Sequence, residues 1–82
     1  MKTYLAQKCT DDFYGINETL YVGESLEQAK RACYLGGLDS YYVHIEEWDI
    51  GVNTGIGTLN LMNVHARDLY EEIMNIPIVS LK

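Results

Sequence analysis

The stretch Tyr41-Tyr42-Val43-His44-Ile45-Glu46-Glu47-Trp48-Asp49-Ile50-Gly51 decides how the rest of the chain is read. Between Ser40 and Ile50 the side chains alternate in character with the period of a β-strand. Tyr41, Val43 and Ile45 take one face, and Tyr42, His44, Glu46 and Trp48 take the other. Successive side chains of a strand point to opposite sides of the sheet. The first row therefore faces a core beneath a helix, and the second row faces away from it. The same rule separates the adjacent carboxylates of Glu46 and Glu47, which cannot serve one site. Glu47 and Asp49 stand at the rim of the outer row.

Upstream of this strand the clearest element is a helix. Ser25 and Gln28 have the spacing of a capping box, in which hydroxyl and amide satisfy backbone donors left free in the first turn. Leu26, Ala29 and Cys33 recur on one face, while Glu27, Lys30 and Arg31 point away. Gly36-Gly37 predicts a left-handed stop. Earlier still, Lys2 to Cys9 reads as a strand, stopped by Thr10-Asp11-Asp12. The polar loop that follows, as far as Asn17, is interrupted by Phe13, Tyr14 and Gly15. Thr19 to Val22 reads as a short second strand closed by Gly23.

Downstream, Gly51 to Gly57 (GVNTGIG) has the composition of a loop. Leu59, Met62, Ala66, Leu69 and Ile73 are spaced 3, 4, 3 and 4 apart. That period predicts a second helix over at least Asn63 to Asn75, beginning as early as Thr58. Residues 56–62 satisfy a strand equally well, so that segment stays open between the two. Asn75 and Pro77 end the helix. Ile76 to Leu81 offers a terminal strand in which Pro77 fits only at the start or on a sheet edge. The order β-β-α-β-(β)-α-β, with short connections, predicts a single α+β domain over residues 1–82. It would have a mainly antiparallel sheet of three to five strands with two helices on one face, the strand from Tyr41 to Trp48 central, and the first helix against it.

Composition narrows the function classes. Twelve acidic residues against six basic ones give a net charge of −6, which argues against direct binding to nucleic acid or anionic membrane and is compatible with a basic partner or simply with solubility. Seven tyrosines and one tryptophan stand beside a single phenylalanine, and side chains with an apolar body and a polar tip suit interfaces. No apolar run has membrane-spanning length. Gln7, Lys8, Thr10, Asp11 and Asp12 follow Met1 too closely for a signal peptide, which leads us to expect a cytoplasmic protein. Cys9 and Cys33, without a CxxC pairing, read as two reduced thiols.

No constellation for chemistry converges in the sequence. Gly55 and Gly57 match the first two glycines of GxGxxG, but Asn60 stands at the third, and no lysine is placed for a phosphate. Cys9, Cys33, His44 and His65 have the residue types of a zinc site without its spacing. A nucleophile such as Cys33 would meet His44 or His65 only through the tertiary fold. A chain with no enzymatic activity, cofactor or metal is therefore expected.

The acidic and aromatic residues form a more coherent pattern. Tyr42, His44, Glu46 and Trp48 make one row, with Glu47 and Asp49 beside it. On the expected second helix, Asp68, Glu71 and Glu72 share a face at i, i+3, i+4, where like charges repel and only Arg67 offsets them. These nine residues are the candidate partner-binding set. The segments MKTYLAQ (1–7), SLEQAKRAC (25–33) and YYVHIEEWDIG (41–51) resemble, in general style, the short acidic accessory proteins of bacteriophages and mobile elements, anti-CRISPR inhibitors among them. That resemblance implies an inhibitor that blocks a nucleic-acid-handling complex by presenting carboxylates where phosphates would bind. The favoured expectation is a non-enzymatic inhibitor or adaptor docking on a basic protein surface. One alternative is a homodimeric structural or regulatory subunit, joined through the Leu59-Met62-Ala66-Leu69-Ile73 seam or a sheet edge. A second is a small ligand-binding domain or enzyme using the Gly51–Gly57 loop.

Overall fold

The computed structural model describes residues 1–10 and 17–81. Asp11 and Asp12, assigned to the stop of the first strand, and Phe13, Tyr14 and Gly15 of the polar loop lie outside the described residues. The remainder is an α+β fold with one open, fully antiparallel sheet. Its strands are β1 (Lys2–Cys9), β2 (Asn17–Gly23), β3 (Tyr42–Asp49), β4 (Val52–Asn60) and β5 (Val79–Ser80), in the order β2-β1-β3-β4-β5. The helices are α1 (Leu26–Gly36) and α2 (Leu69–Met74).

The alternation in β3 works as its residues dictate from Tyr42 onward, while Tyr41, expected on the core face, lies just before the strand and is exposed. Val43 and Ile45 are fully buried and join Ala6 of β1, Ala29 and Cys33 of α1, Leu61, Ile73 of α2 and Ile76 in one core cluster. Both helices thus cover the same face of the sheet, and no helix among the described residues covers the other face. Leu26, Ala29 and Cys33 present the inner side of α1, as their spacing requires. No described helix is long and apolar enough to cross a membrane.

The ends of α1 differ from expectation in instructive ways. Ser25 Oγ accepts from the Gln28 amide at 3.1 Å, which is half of a capping box. The other half is supplied by tertiary structure: the Ser25 amide donates to the Tyr21 hydroxyl at 3.2 Å. At the far end Gly37 has φ −111°, so the stop is not left-handed. Its glycine is needed for space, because a Cβ there would sit 2.6 Å from Val43 Cγ1 and 2.7 Å from the Cys33 carbonyl oxygen. Lys30, expected in solvent, instead donates to the Met74 carbonyl at 3.0 Å and closes the C-terminal end of α2.

The expected Gly51–Gly57 loop is a strand. β4 begins at Val52 and pairs with β3 from Asp49 to Tyr42. Gly55 and Gly57 are buried, and a Cβ on either would strike the returning chain: Ile78 Cγ2 at 2.7 Å for Gly55, and the Pro77 carbonyl oxygen at 2.6 Å for Gly57. These glycines let the C-terminal segment lie directly on β4. The expected long second helix is also broken up. β4 runs to Asn60, then Leu61–Asn63 and Ala66–Asp68 form single 3-10 turns separated by extended Val64 and His65, and α2 itself spans only six residues. The Asn60 side chain accepts from the Met62 amide at 3.0 Å and turns the chain out of the strand. The apparent seam mixes elements: Leu59 lies in β4, Met62 and Ala66 are exposed, and Ile73 is consumed by the monomer's own core. Pro77 does precede an edge strand, β5, which pairs with Gly55 and Ile56 of β4.

The β3–β4 connection is a two-residue hairpin with φ 50° at Ile50 and φ 76° at Gly51. Positive φ at both central residues is the requirement of a type I′ turn, which favours Asn-Gly. A β-branched residue there is strained, and Ile50 is 89% exposed, so no burial offsets the strain. Replacing it, Ile50→Asn, is expected to stabilise the fold by about 1 kcal/mol. Thermal unfolding should then show a midpoint raised by about 4–8 °C; an unchanged or lowered midpoint would contradict the strain.

Candidate functional site

The uncovered face of the sheet carries the outer row of β3. Register places Leu5 and Ile56 on either side of Glu46, Gln7 and Thr58 beside His44, Thr3 and Asn53 beside Trp48, and Cys9 and Asn60 beside Tyr42. Side chains two apart on one strand point the same way and lie about 6.6 Å apart at their Cα atoms, within reach for residues of this length. Glu46 uses that reach in both directions. Its Oε2 lies 2.8 Å from His44 Nε2, and its Oε1 accepts from Trp48 Nε1 at 2.8 Å. His44 Nδ1 in turn lies 3.3 Å from Thr58 Oγ1 on β4. Four side chains from two strands therefore form one hydrogen-bonded line, Thr58-His44-Glu46-Trp48.

Glu46 is the centre of this line. Its partial burial raises the carboxyl, but the hydrogen bonds from His44 and Trp48 together outweigh that, so its pKa falls below the ordinary 4.5. The carboxylate is thus ionised with both oxygens engaged. That fixes the rotamers of an imidazole and an indole that would otherwise be free on an open surface. When neutral, with Nε2–H donating to Glu46, the ring accepts from the Thr58 hydroxyl through Nδ1; when protonated it donates both ways. Hydroxyl, imidazole and carboxylate in series also match the order of a nucleophilic triad. Here they lie along the paired strands β3 and β4. The arrangement is suited to presenting a rigid surface.

The candidate set divides on this frame. Tyr42, His44, Glu46 and Trp48 share the outer face as expected. Glu47 and Asp49 point to the helix side, at the hairpin end, where with Lys2, Thr54, Ile78 and Ser80 they line a groove of about 410 Å³. Glu47 is tied there by Lys2 at 3.1 Å, Thr54 at 3.0 Å and Tyr4 at 3.3 Å, and the Lys2 bond leads in holding its carboxyl below the ordinary value. Glu46 and Glu47 thus occupy separate surroundings. Asp68, Glu71 and Glu72 belong to the helix layer and form no continuous surface with the outer row. Asp68 is the N-cap of α2, and Glu71 and Glu72 fall in its first turn, where negative charge stabilises a helix. Their clustering therefore has a structural explanation that the assumption of a longer helix concealed. Thr58 was missed, because its approach to His44 depends on the β3–β4 register, which appears in no local pattern.

The remaining chemistry-bearing residues are dispersed. Cys9 Sγ lies 2.6 Å from Asn17 Oδ1. Burial pushes the Cys33 thiol up to about 11, which leaves it protonated and unreactive at neutral pH. His65 is exposed ahead of a 3-10 turn. Among the described residues no group of three or more His, Cys, Asp or Glu side chains could hold a metal ion. Gly55 and Gly57, inside β4, lack the loop-before-helix placement that a phosphate cradle needs.

Because the folded Glu46 carboxyl titrates below its ordinary value, its contribution to stability is fully present above pH 4.5 and is lost as pH falls through the lower folded value. Glu46→Gln should therefore flatten this part of the acid limb of the stability–pH curve, and its largest cost relative to wild type should lie above that pH. Thermal melts of the two proteins across the acid range provide the check. A cost that is independent of pH would contradict the ionised, doubly bonded Glu46.

No family model, no curated protein and no solved structure matches the chain.

Proposed function

We propose that the chain is a non-enzymatic protein-binding module, an inhibitor or adaptor that docks the outer face of its sheet on a basic protein surface. The observation that carries this reading is the pinned line of Glu46, His44 and Trp48 on a sheet face that no described helix covers. An ordered aromatic beside a carboxylate loses little conformational freedom when a partner closes over it, and such preorganisation is where affinity is gained. The net charge of −6 supports a basic partner through long-range steering. A nucleic-acid-handling protein whose phosphate-binding groove is occluded by these carboxylates, in the manner of phage anti-CRISPR inhibitors, is the partner class we favour.

The site in this proposal is Tyr42, His44, Glu46 and Trp48 with Thr58. Glu47, tied to Lys2, Asp49, paired with the Met1 ammonium, and Asp68, Glu71 and Glu72, on the helix layer, contribute only to the overall field.

The immobilised chain can be used to capture host proteins, with a Glu46→Arg/Trp48→Ala double variant as control. The binder lost by the variant is then purified and its kinetics measured. Trp48→Ala should weaken binding at least about 30-fold, chiefly through faster dissociation, as for a desolvated aromatic anchor. The association rate of the wild type should fall with added salt. Melting temperature measured alongside separates binding from folding. Unchanged dissociation in a folded Trp48→Ala, with no dependence on salt, would remove the support for this site.

A further inference from the structure

The pairing registers place one residue of every strand in a single row across the outer face: Val22 of β2, Leu5 of β1, Glu46 of β3, Ile56 of β4 and Val79 of β5. Four of the five are aliphatic, and the carboxylate stands in the middle. Val22 is 63% and Val79 59% exposed, Leu5 and Ile56 are half-buried, and none of the four belongs to the core cluster beneath the helices. With strands about 4.8 Å apart, the row is about 19 Å long. The rows beside it carry polar groups, Gln7, His44 and Thr58 on one side and Thr3, the Trp48 indole and Asn53 on the other. The aliphatic stripe is therefore one residue wide.

Width and length decide the shape of what covers it. A second sheet lies flat over several rows and would bury the polar groups on both sides. An α-helix touches along one stripe of its surface, and its pitch of about 5.4 Å nearly matches the strand spacing. One turn then falls over each strand, and about 13 residues span the row. Charge decides what the helix carries at its centre. Glu46 is the only carboxylate among the described strand residues on this face, and Lys2 and Lys8 stand on the other face, opposite Asp49 and Val43. A carboxylate has about four lone-pair sites, of which His44 and Trp48 take two. Covering Glu46 with apolar atoms alone would strand the remaining acceptors of an ionised group. An arginine fork fills two acceptor sites at once and is weakly hydrated.

We infer that the outer face receives an amphipathic helix of the partner, laid across the strands along Val22-Leu5-Glu46-Ile56-Val79, with one arginine of its apolar stripe on Glu46. The inference rests on the docking role proposed for this face, and it narrows the partner from a basic surface to a single cationic amphipathic helix. Trp48 then packs against the flank of that helix. Specificity comes from the place of the arginine between two aliphatic pairs.

Helical peptides of about 17 residues, long enough to overhang the row at both ends, test the inference. They are selected by display on the immobilised full chain, from a library randomised at the five stripe positions of one helix face. Selected peptides should carry arginine at the central position and apolar residues at the other four, and should gain helical circular dichroism on binding. Measured by fluorescence anisotropy with the best peptide, Val22→Asp and Val79→Asp should each weaken binding about 10-fold or more. Both positions are exposed, so melting temperatures should stay near wild type. Glu46→Arg should weaken it further, and replacing the peptide's arginine by glutamate should restore much of the loss. A selection that yields no binder, peptides that bind without a central arginine, or wild-type affinity in both valine variants would overturn the inference. The docking role fails on different evidence. A host partner released by Trp48→Ala but held by both valine variants contradicts the helix and leaves the docking face standing, whereas a partner held by a folded Trp48→Ala contradicts the docking face itself.

Discussion

The structure depends on the division of β3 into two chemically unlike faces. Val43 and Ile45 are fully buried against Ala6 of β1 and Cys33 and Ala29 of α1. A shift of one residue in the pairing of β3 would put His44 and Glu46 into that core and Val43 and Ile45 outside it. Burying an ionised carboxylate without a partner is among the costliest substitutions a core can suffer. The register with β1 and β4 is therefore strongly fixed. Because it is fixed, Thr58 arrives beside His44 and the outer row becomes an ordered line. The apolar face of the strand thus determines the geometry of the polar one.

Much of the fold was legible because it is written in local patterns. The alternation around Val43 and Ile45, the helix spacing of Leu26, Ala29 and Cys33, and the Ser25 hydroxyl at the N-cap depend only on nearby residues, and each was found where its pattern placed it. What misled was local pattern overridden by tertiary contact. Gly55 and Gly57 have the composition of a loop, yet they serve a strand, because Pro77, Ile78 and Ile76 press on β4 from above. The 3-4 spacing through Leu59, Met62, Ala66, Leu69 and Ile73 arose from concatenating a strand, two 3-10 turns and a short helix. Pairing of β4 with β3 won over helix periodicity, since the sheet could satisfy those backbone groups and bury Leu59 together.

The candidate site was legible to the same degree. The outer row of β3 follows from alternation alone. That Glu46 would hold both His44 and Trp48 requires the rotamers, and that Thr58 would join them requires the register. The acids of α2 carry the opposite lesson. With a long helix assumed, Asp68, Glu71 and Glu72 are mutually repelling and invite a functional explanation. In the actual six-residue helix they sit at its N-terminal end, where the helix dipole favours negative charge. The same reasoning leaves Ile50 as a site where local preference is violated and no contact within the described chain offsets it.

The central claim is that the outer face of β3, ordered around Glu46, is the surface a partner covers. Trp48 is the chain's only tryptophan, so incorporation of a fluorotryptophan places a single fluorine label on that face and none on an unlabelled partner. Its resonance, followed while the purified partner is added, reports the environment of Trp48 directly. The account predicts a displaced, broadened signal that saturates with the binding isotherm and loses its sensitivity to solvent. A signal that keeps its free-state position and solvent sensitivity while the complex forms would contradict it.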